Sequence, residues 1–250
     1  METQYFKHYS HELGRETEMK FYGHAGRPVL LSPCQDGRFF DFENFKMTDY
    51  WGPWLESGKC MVFSIDTMDK ETWSDKHNDA GWRAYRHEQW MSYIVNEAAP
   101  FIRQMANERN GWEGWPGIIT FGCSLGATHA VNLFFRFPDT FTGMLALSGI
   151  YSASYGFDGY MDANVYSNSP VDYLANMACD HPYIEKYNNN QGIICVGHGP
   201  WEIPETTERL DQICREKDIQ VWIDHWGSDV KHDWDWWYKQ VEYFVPHLLG

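Results

Sequence analysis

The chain has 250 residues, 43% of them hydrophobic, a formal net charge of -15 and six cysteines. So acidic a balance argues against a nucleic-acid partner, which needs clustered Lys and Arg to release counterions. No window approaches the roughly 20 uninterrupted apolar residues of a membrane helix, so a soluble protein with no membrane partner is expected.

The cysteines are scattered without C-x-x-C pairs and read as buried free thiols of a reducing cytoplasm rather than a disulfide framework. Residues 1–12 are polar and lack the apolar core of a secretory signal, and nothing resembling a linker interrupts the chain, which predicts a single domain over 1–250. A homo-oligomer is compatible with this composition.

Residues 4–9 and 16–22 alternate apolar with polar side chains about Leu13 and Gly14, predicting an antiparallel hairpin at one edge of a sheet. Residues 27–32 are a short apolar run entering a loop at 33–37, and 60–66 predict a further strand. Residues 83–107 carry apolar side chains at helical spacing, with Pro100 expected to kink the helix or divide it. An apolar run at 116–121 precedes a helix-like stretch at 127–137. Residues 143–148 and 192–197 read as strands covered on both faces. Between them, 149–190 show little periodicity and many Tyr, Asn, Asp and Gly, predicting a loop-rich insert over the active site. A helix at 205–216, a last strand at 219–226 and a closing helix at 233–249 complete the pattern. Strands alternating with helices predict an α/β architecture: a mostly parallel twisted sheet with an N-terminal antiparallel hairpin and helices on both faces.

The junction between the run at 116–121 and the helix at 127–137 reads Gly122-Cys123-Ser124-Leu125-Gly126. A serine on a sharp strand-to-helix turn needs glycine on either side, because the backbone there is strained and nearly touches its neighbours. That is the nucleophile elbow of an α/β-hydrolase fold. The competing reading is a structural serine in a glycine-rich turn. A serine hydroxyl is a poor nucleophile until an imidazole takes its proton, and the imidazole needs a carboxylate to hold its tautomer. In this fold the order along the chain is serine, acid, histidine, with the histidine after the last strand. His232 satisfies that rule; His225, its rival, falls inside the predicted strand. Glu202, after the strand at 192–197, is the first choice of acid, with Glu205 and Asp229 as alternatives. The oxyanion of the tetrahedral intermediate would be held by the backbone N–H of Leu125 and one from the loop at 33–37, Gln35 before Cys34. Cys123 could be a nucleophile only if its side chain did not point away from the elbow tip.

Thirteen tryptophans concentrate at 51–90 and 201–237. Most are expected to pack the core, but Trp201, Trp226 and Trp234 flank the candidate residues and suggest an aromatic-walled cleft. No H-E-x-x-H or G-x-G-x-x-G pattern occurs, so neither a metal nor a nucleotide cofactor is expected.

Three segments together, Gly122 to Gly126, Asn164-Val165-Tyr166-Ser167-Asn168-Ser169-Pro170-Val171-Asp172-Tyr173-Leu174 and His232-Asp233-Trp234-Asp235-Trp236-Trp237, resemble the Putative esterase family of α/β hydrolases. That group includes S-formylglutathione hydrolases, feruloyl and acetylxylan esterases, enterochelin esterases and mycolyltransferases, and the likeness is greatest to its short bacterial members. The resemblance implies carboxylic ester hydrolysis with Ser124 as nucleophile and His232 as base, and leaves the acid and the substrate open. A small or aromatic acyl ester is the expected small-molecule substrate. Acyl transfer or thioester cleavage through the same triad, and a catalytically silent scaffold binding a ligand through the insert, are the alternatives.

Overall fold

A computed structural model describes residues 1–250. Strands β1 (Thr3–Ser10) and β2 (Arg15–Tyr22) form the antiparallel hairpin, and β2 pairs antiparallel with β4 (Cys60–Ile65). From β4 onward every pairing is parallel, through β3 (Arg27–Leu31), β5 (Ile118–Cys123), β6 (Phe141–Leu147), β7 (Gln191–Val196) and β8 (Trp222–His225). The eight strands form one sheet in the order β1-β2-β4-β3-β5-β6-β7-β8. This is the α/β-hydrolase arrangement, with helices on both faces.

Strand alternation decides which helices cover which face. On β3, Val29 and Leu31 look toward Trp51 and Leu55 of α2 (Met47–Glu56) and Phe244 of α10 (Trp234–Leu249). Leu30 looks the other way, toward Trp90 of α3 (Ala80–Tyr93) and Ile102 of α4 (Ala99–Asn110). Beyond β5 the second face is covered by α5 (Leu125–Arg136) and α9 (Glu205–Glu216), where Phe134, Leu210 and Ile213 meet Met144 and Ile194. No helix is long and apolar enough to cross a membrane.

Several elements differ from the sequence-based expectation. The last strand is Trp222–His225, shorter than 219–226, because Asp218 takes a left-handed backbone (φ 56°) and β8 is a half-exposed edge. The helix at 83–107 divides at a π turn, Ile94–Ala98, and Pro100 falls in the first turn of α4 directly after it. α1 (Asp41–Asn44) and α2 were not expected; α2 carries Gly52 and Pro53, which obscure its periodicity. The segment at 149–190 holds α6 (Ala163–Ser167), α7 (Pro170–Tyr173) and α8 (Pro182–Asn189), two of them too short for periodicity to register. No two cysteines are bridged; Cys179 is exposed, unlike the buried thiols expected.

Because β3 and β5 to β8 run parallel, the loops leaving them open on one edge of the sheet. Residues 32–37, 124, 148–156, 197–204 and 226–233 are thereby gathered at one place.

Candidate active site

Ser124 sits between the end of β5 and the first residue of α5 with φ 57° and ψ −129°, a region L-residues avoid. Its N–H donates to Leu147 O at 2.8 Å, which ties the turn to β6. The flanking glycines are required by contact. A Cβ on Gly122 would lie 2.2 Å from the backbone of Gly126, and a Cβ on Gly126 would lie 2.2 Å from Ser32 O. The turn therefore closes against the loop after β3.

His232 comes from the loop between β8 and α10, and its Nε2 lies 2.9 Å from Ser124 Oγ across a sequence separation of 108 residues. Its Nδ1 faces Glu202 Oε2 at 3.5 Å. The Glu202 side chain is 1% exposed and that of His232 25%. Neither Nδ1 nor Oε2 has another hydrogen-bond partner, and a contraction of a few tenths of an ångström would join them. Glu202 Oε1 accepts a hydrogen bond from Ser148 Oγ at 2.7 Å, and Ser148 Oγ accepts one from Trp237 Nε1 at 3.0 Å. The Trp237 and His232 rings also meet near perpendicular, centroids 5.0 Å apart.

The other candidates are placed elsewhere. Glu205 opens α9 and is exposed, and Asp229 lies beside Gly227; neither contacts His232. His225 is engaged by His198 at 3.2 Å and by Asp211 at 3.7 Å. Cys123 is buried among the side chains beneath α2 and α10, and burial pushes its thiol well above the ordinary value, so it stays protonated. Burial likewise pushes Cys34 up to about 12.

Leu125 and Gln35 border the same cleft as Ser124 and His232. The Leu125 amide opens α5, where the first N–H groups have no partner within the helix and the dipole favours negative charge. The Gln35 side chain donates to Ser74 Oγ at 2.7 Å, and the next amide, Asp36 N, donates to buried Asp69 at 3.1 Å. Asp69 is in turn 3.2 Å from His129 of α5. The loop after β3 is thus tied to the elbow helix through a buried carboxylate.

The cleft measures about 340 Å³. Its aromatic wall is Trp73, Tyr155 and Trp201. Of the three tryptophans expected from sequence, only Trp201 is there. Trp226 packs against Trp236 and Phe244 of α10, and Trp234, the first residue of α10, stacks on Phe45 at 4.3 Å. Trp73 and Tyr155 gave no sequence signal, since each reaches the cleft from an irregular segment. The segment at 164–174 anchors the insert. Asn168 Oδ1 accepts from Asn132 of α5 at 2.7 Å, and Ser169 Oγ accepts from Ala153 N at 3.0 Å.

The profile of the Putative esterase family matches residues 10–248. No individually curated protein matches the sequence. Among solved structures, a ferulic acid esterase superposes with a TM-score of 0.73 at 14% identity, covering 99% of this chain and 98% of its own. An S-formylglutathione hydrolase from Agrobacterium tumefaciens gives 0.72 at 16% identity, covering 99% and 95%. FphF, a fluorophosphonate-binding serine hydrolase of Staphylococcus aureus, gives 0.69 at 11%, covering 100% and 98%. These likenesses carry the fold, and the family match carries the reaction class. The chain belongs to the Putative esterase family and is a carboxylesterase-like serine hydrolase.

Proposed function

We propose that the protein hydrolyses a small or aromatic acyl ester through an acyl-enzyme on Ser124, with His232 as general base and acid, Glu202 orienting the imidazole, and the amides of Leu125 and Gln35 holding the oxyanion. The observation that carries this reading is the 2.9 Å contact between His232 Nε2 and Ser124 Oγ at a strained strand-to-helix turn. As Oγ attacks the ester carbonyl, its proton passes to Nε2, and the carbonyl electrons move onto an oxygen facing the α5 N-terminus. Collapse expels the alcohol, which takes the proton from Nε2. Water then enters and gives a proton to the same nitrogen as its oxygen attacks the acyl carbon; the acyl–Oγ bond breaks, Oγ takes the proton back from Nε2, and the acid leaves. No step calls for a metal or cofactor.

The substrate class rests on the cleft: about 340 Å³ with Trp73, Tyr155 and Trp201 along it suits a short acyl group or one aromatic ring. Unbridged cysteines fit a reducing compartment, and the cytoplasm is read as the site of action.

A fluorophosphonate probe should label the wild type and not Ser124→Ala. Among nitrophenyl esters, acetyl and aromatic acyl groups should be cleaved and long chains poorly. Labelling of Ser124→Ala, or a preference for long chains, counts against the reading.

A further inference from the structure

The hydrogen bonds behind Glu202 have only one possible direction. An indole N–H can only donate, so Ser148 Oγ must accept from Trp237 Nε1 at 3.0 Å. The single hydroxyl proton of Ser148 is then free for Glu202 Oε1, 2.7 Å away. With Oε1 occupied, Oε2 is the oxygen left for His232 Nδ1, which it faces at 3.5 Å. The indole of Trp237 also packs against the His232 imidazole, the two rings near perpendicular at 83° with centroids 5.0 Å apart. One indole on α10 therefore touches both the base and the support of the acid.

Ser148 is built for this place rather than tolerated in it. It follows β6 with a left-handed backbone (φ 58°), a conformation that costs about 1 kcal/mol or more in a residue other than glycine. Its N–H donates to Cys195 O at 2.8 Å, locking the turn to β7 just upstream of the loop that carries Glu202. It is 3% exposed, and its hydroxyl is engaged on both sides, by Trp237 Nε1 and by Glu202 Oε1.

We propose that Ser148 and Trp237 form a positioning relay that presents Glu202 to His232. The inference rests on the assignment of Ser124, His232 and Glu202 made above. Ser148 and Trp237 are positioning residues: neither exchanges a proton with substrate, and both act through the carboxylate.

The test is steady-state kinetics on a nitrophenyl ester with the full-length protein. Ser148→Ala should lower kcat by roughly 10- to 100-fold, the scale of one charge-assisted hydrogen bond, with KM little changed. Ser148→Gly should lose as much while suiting the left-handed backbone, which separates a lost hydroxyl from a lost fold. Trp237→Phe keeps an aromatic ring against His232 and should show a smaller loss, again in kcat. Since the relay acts through Glu202, Ser148→Ala in a Glu202→Gln background should cost no more than about twofold further. Losses that multiply in the double variant, or a loss carried by KM, would overturn the relay. Wild-type kcat in Ser148→Ala beside a slow Glu202→Gln overturns the relay alone. Wild-type kcat in Glu202→Gln overturns the assigned acid and the relay together.

Discussion

Glu202 Oε2 stands 3.5 Å from His232 Nδ1, on a carboxylate that is 1% exposed. In the mechanism proposed above, a carboxylate removed from water beside a single imidazole would stabilise the imidazolium formed when Ser124 gives up its proton. Glu202→Gln should therefore lower kcat by about three to four powers of ten, as loss of a triad carboxylate does elsewhere. Asp229→Asn and Glu205→Gln should stay within about twofold of wild type, since exposed substitutions away from the site are close to neutral. Parallel ester assays of the three variants check this, and a dead Asp229→Asn would reassign the acid.

The same substitution should act with opposite sign at two glycines. Gly126→Ala drives a Cβ to within 2.2 Å of Ser32 O and 2.5 Å of Pro33 O, both main-chain atoms that cannot rotate away. It should destabilise by about 3 kcal/mol or more and abolish fluorophosphonate labelling. Gly52→Ala in α2 meets nothing within 4 Å and should stabilise by about 0.5–1 kcal/mol through lower backbone entropy in the unfolded chain. Urea unfolding midpoints measure both.

Trp201 is 86% exposed at the rim of the cleft, with a left-handed backbone (φ 70°), and packing contributes little to holding it there. Trp201→Ala should leave the unfolding midpoint unchanged. It should raise KM for an aromatic acyl ester roughly 3- to 10-fold, the scale of one aromatic contact, and leave the acetyl ester unaffected. Equal effects on both esters would remove Trp201 from acyl recognition.

His87 is 1% exposed. Burial, with His129 and Arg136 nearby, holds its pKa well below the ordinary value of 6.5, so the folded state keeps it neutral. The unfolded chain binds a proton near the ordinary value, so below about pH 6.5 it holds more protons than the folded one. His87 thus contributes stability that is fully present above that pH and lost as pH falls. Against wild type, His87→Phe should show a shallower decline in stability between pH 7 and pH 5. Parallel pH dependences would exclude His87 as the cause.

Much of this architecture is written in local pattern. Alternation at 4–9 and 16–22 yields the hairpin, and the spacing at 205–216 yields α9 residue for residue, because periodicity reports which face is buried. The elbow is legible for a stronger reason: Gly122 and Gly126 are demanded by backbone contacts that admit no other residue. The order of serine, acid and histidine along the chain also points to residues 202 and 232. That order does not separate Glu202 from Glu205 and Asp229, since a carboxylate's partner depends on where its loop turns. Trp201 is left-handed just before Glu202, and that turn is a property of the folded loop.

Ser148 and Trp237 show the division most plainly. The sequence by itself marked a strand at 143–148 and a helix at 233–249, close to the observed β6 (Phe141–Leu147) and α10 (Trp234–Leu249), because apolar spacing is local. Only the tertiary structure decided that a hydroxyl at the end of one and an indole on the other meet behind the same carboxylate, 89 positions apart along the chain. That meeting follows from the packing of α10 across β6, and the direction and length of a hydrogen bond exist only once both donors and acceptors have been brought together.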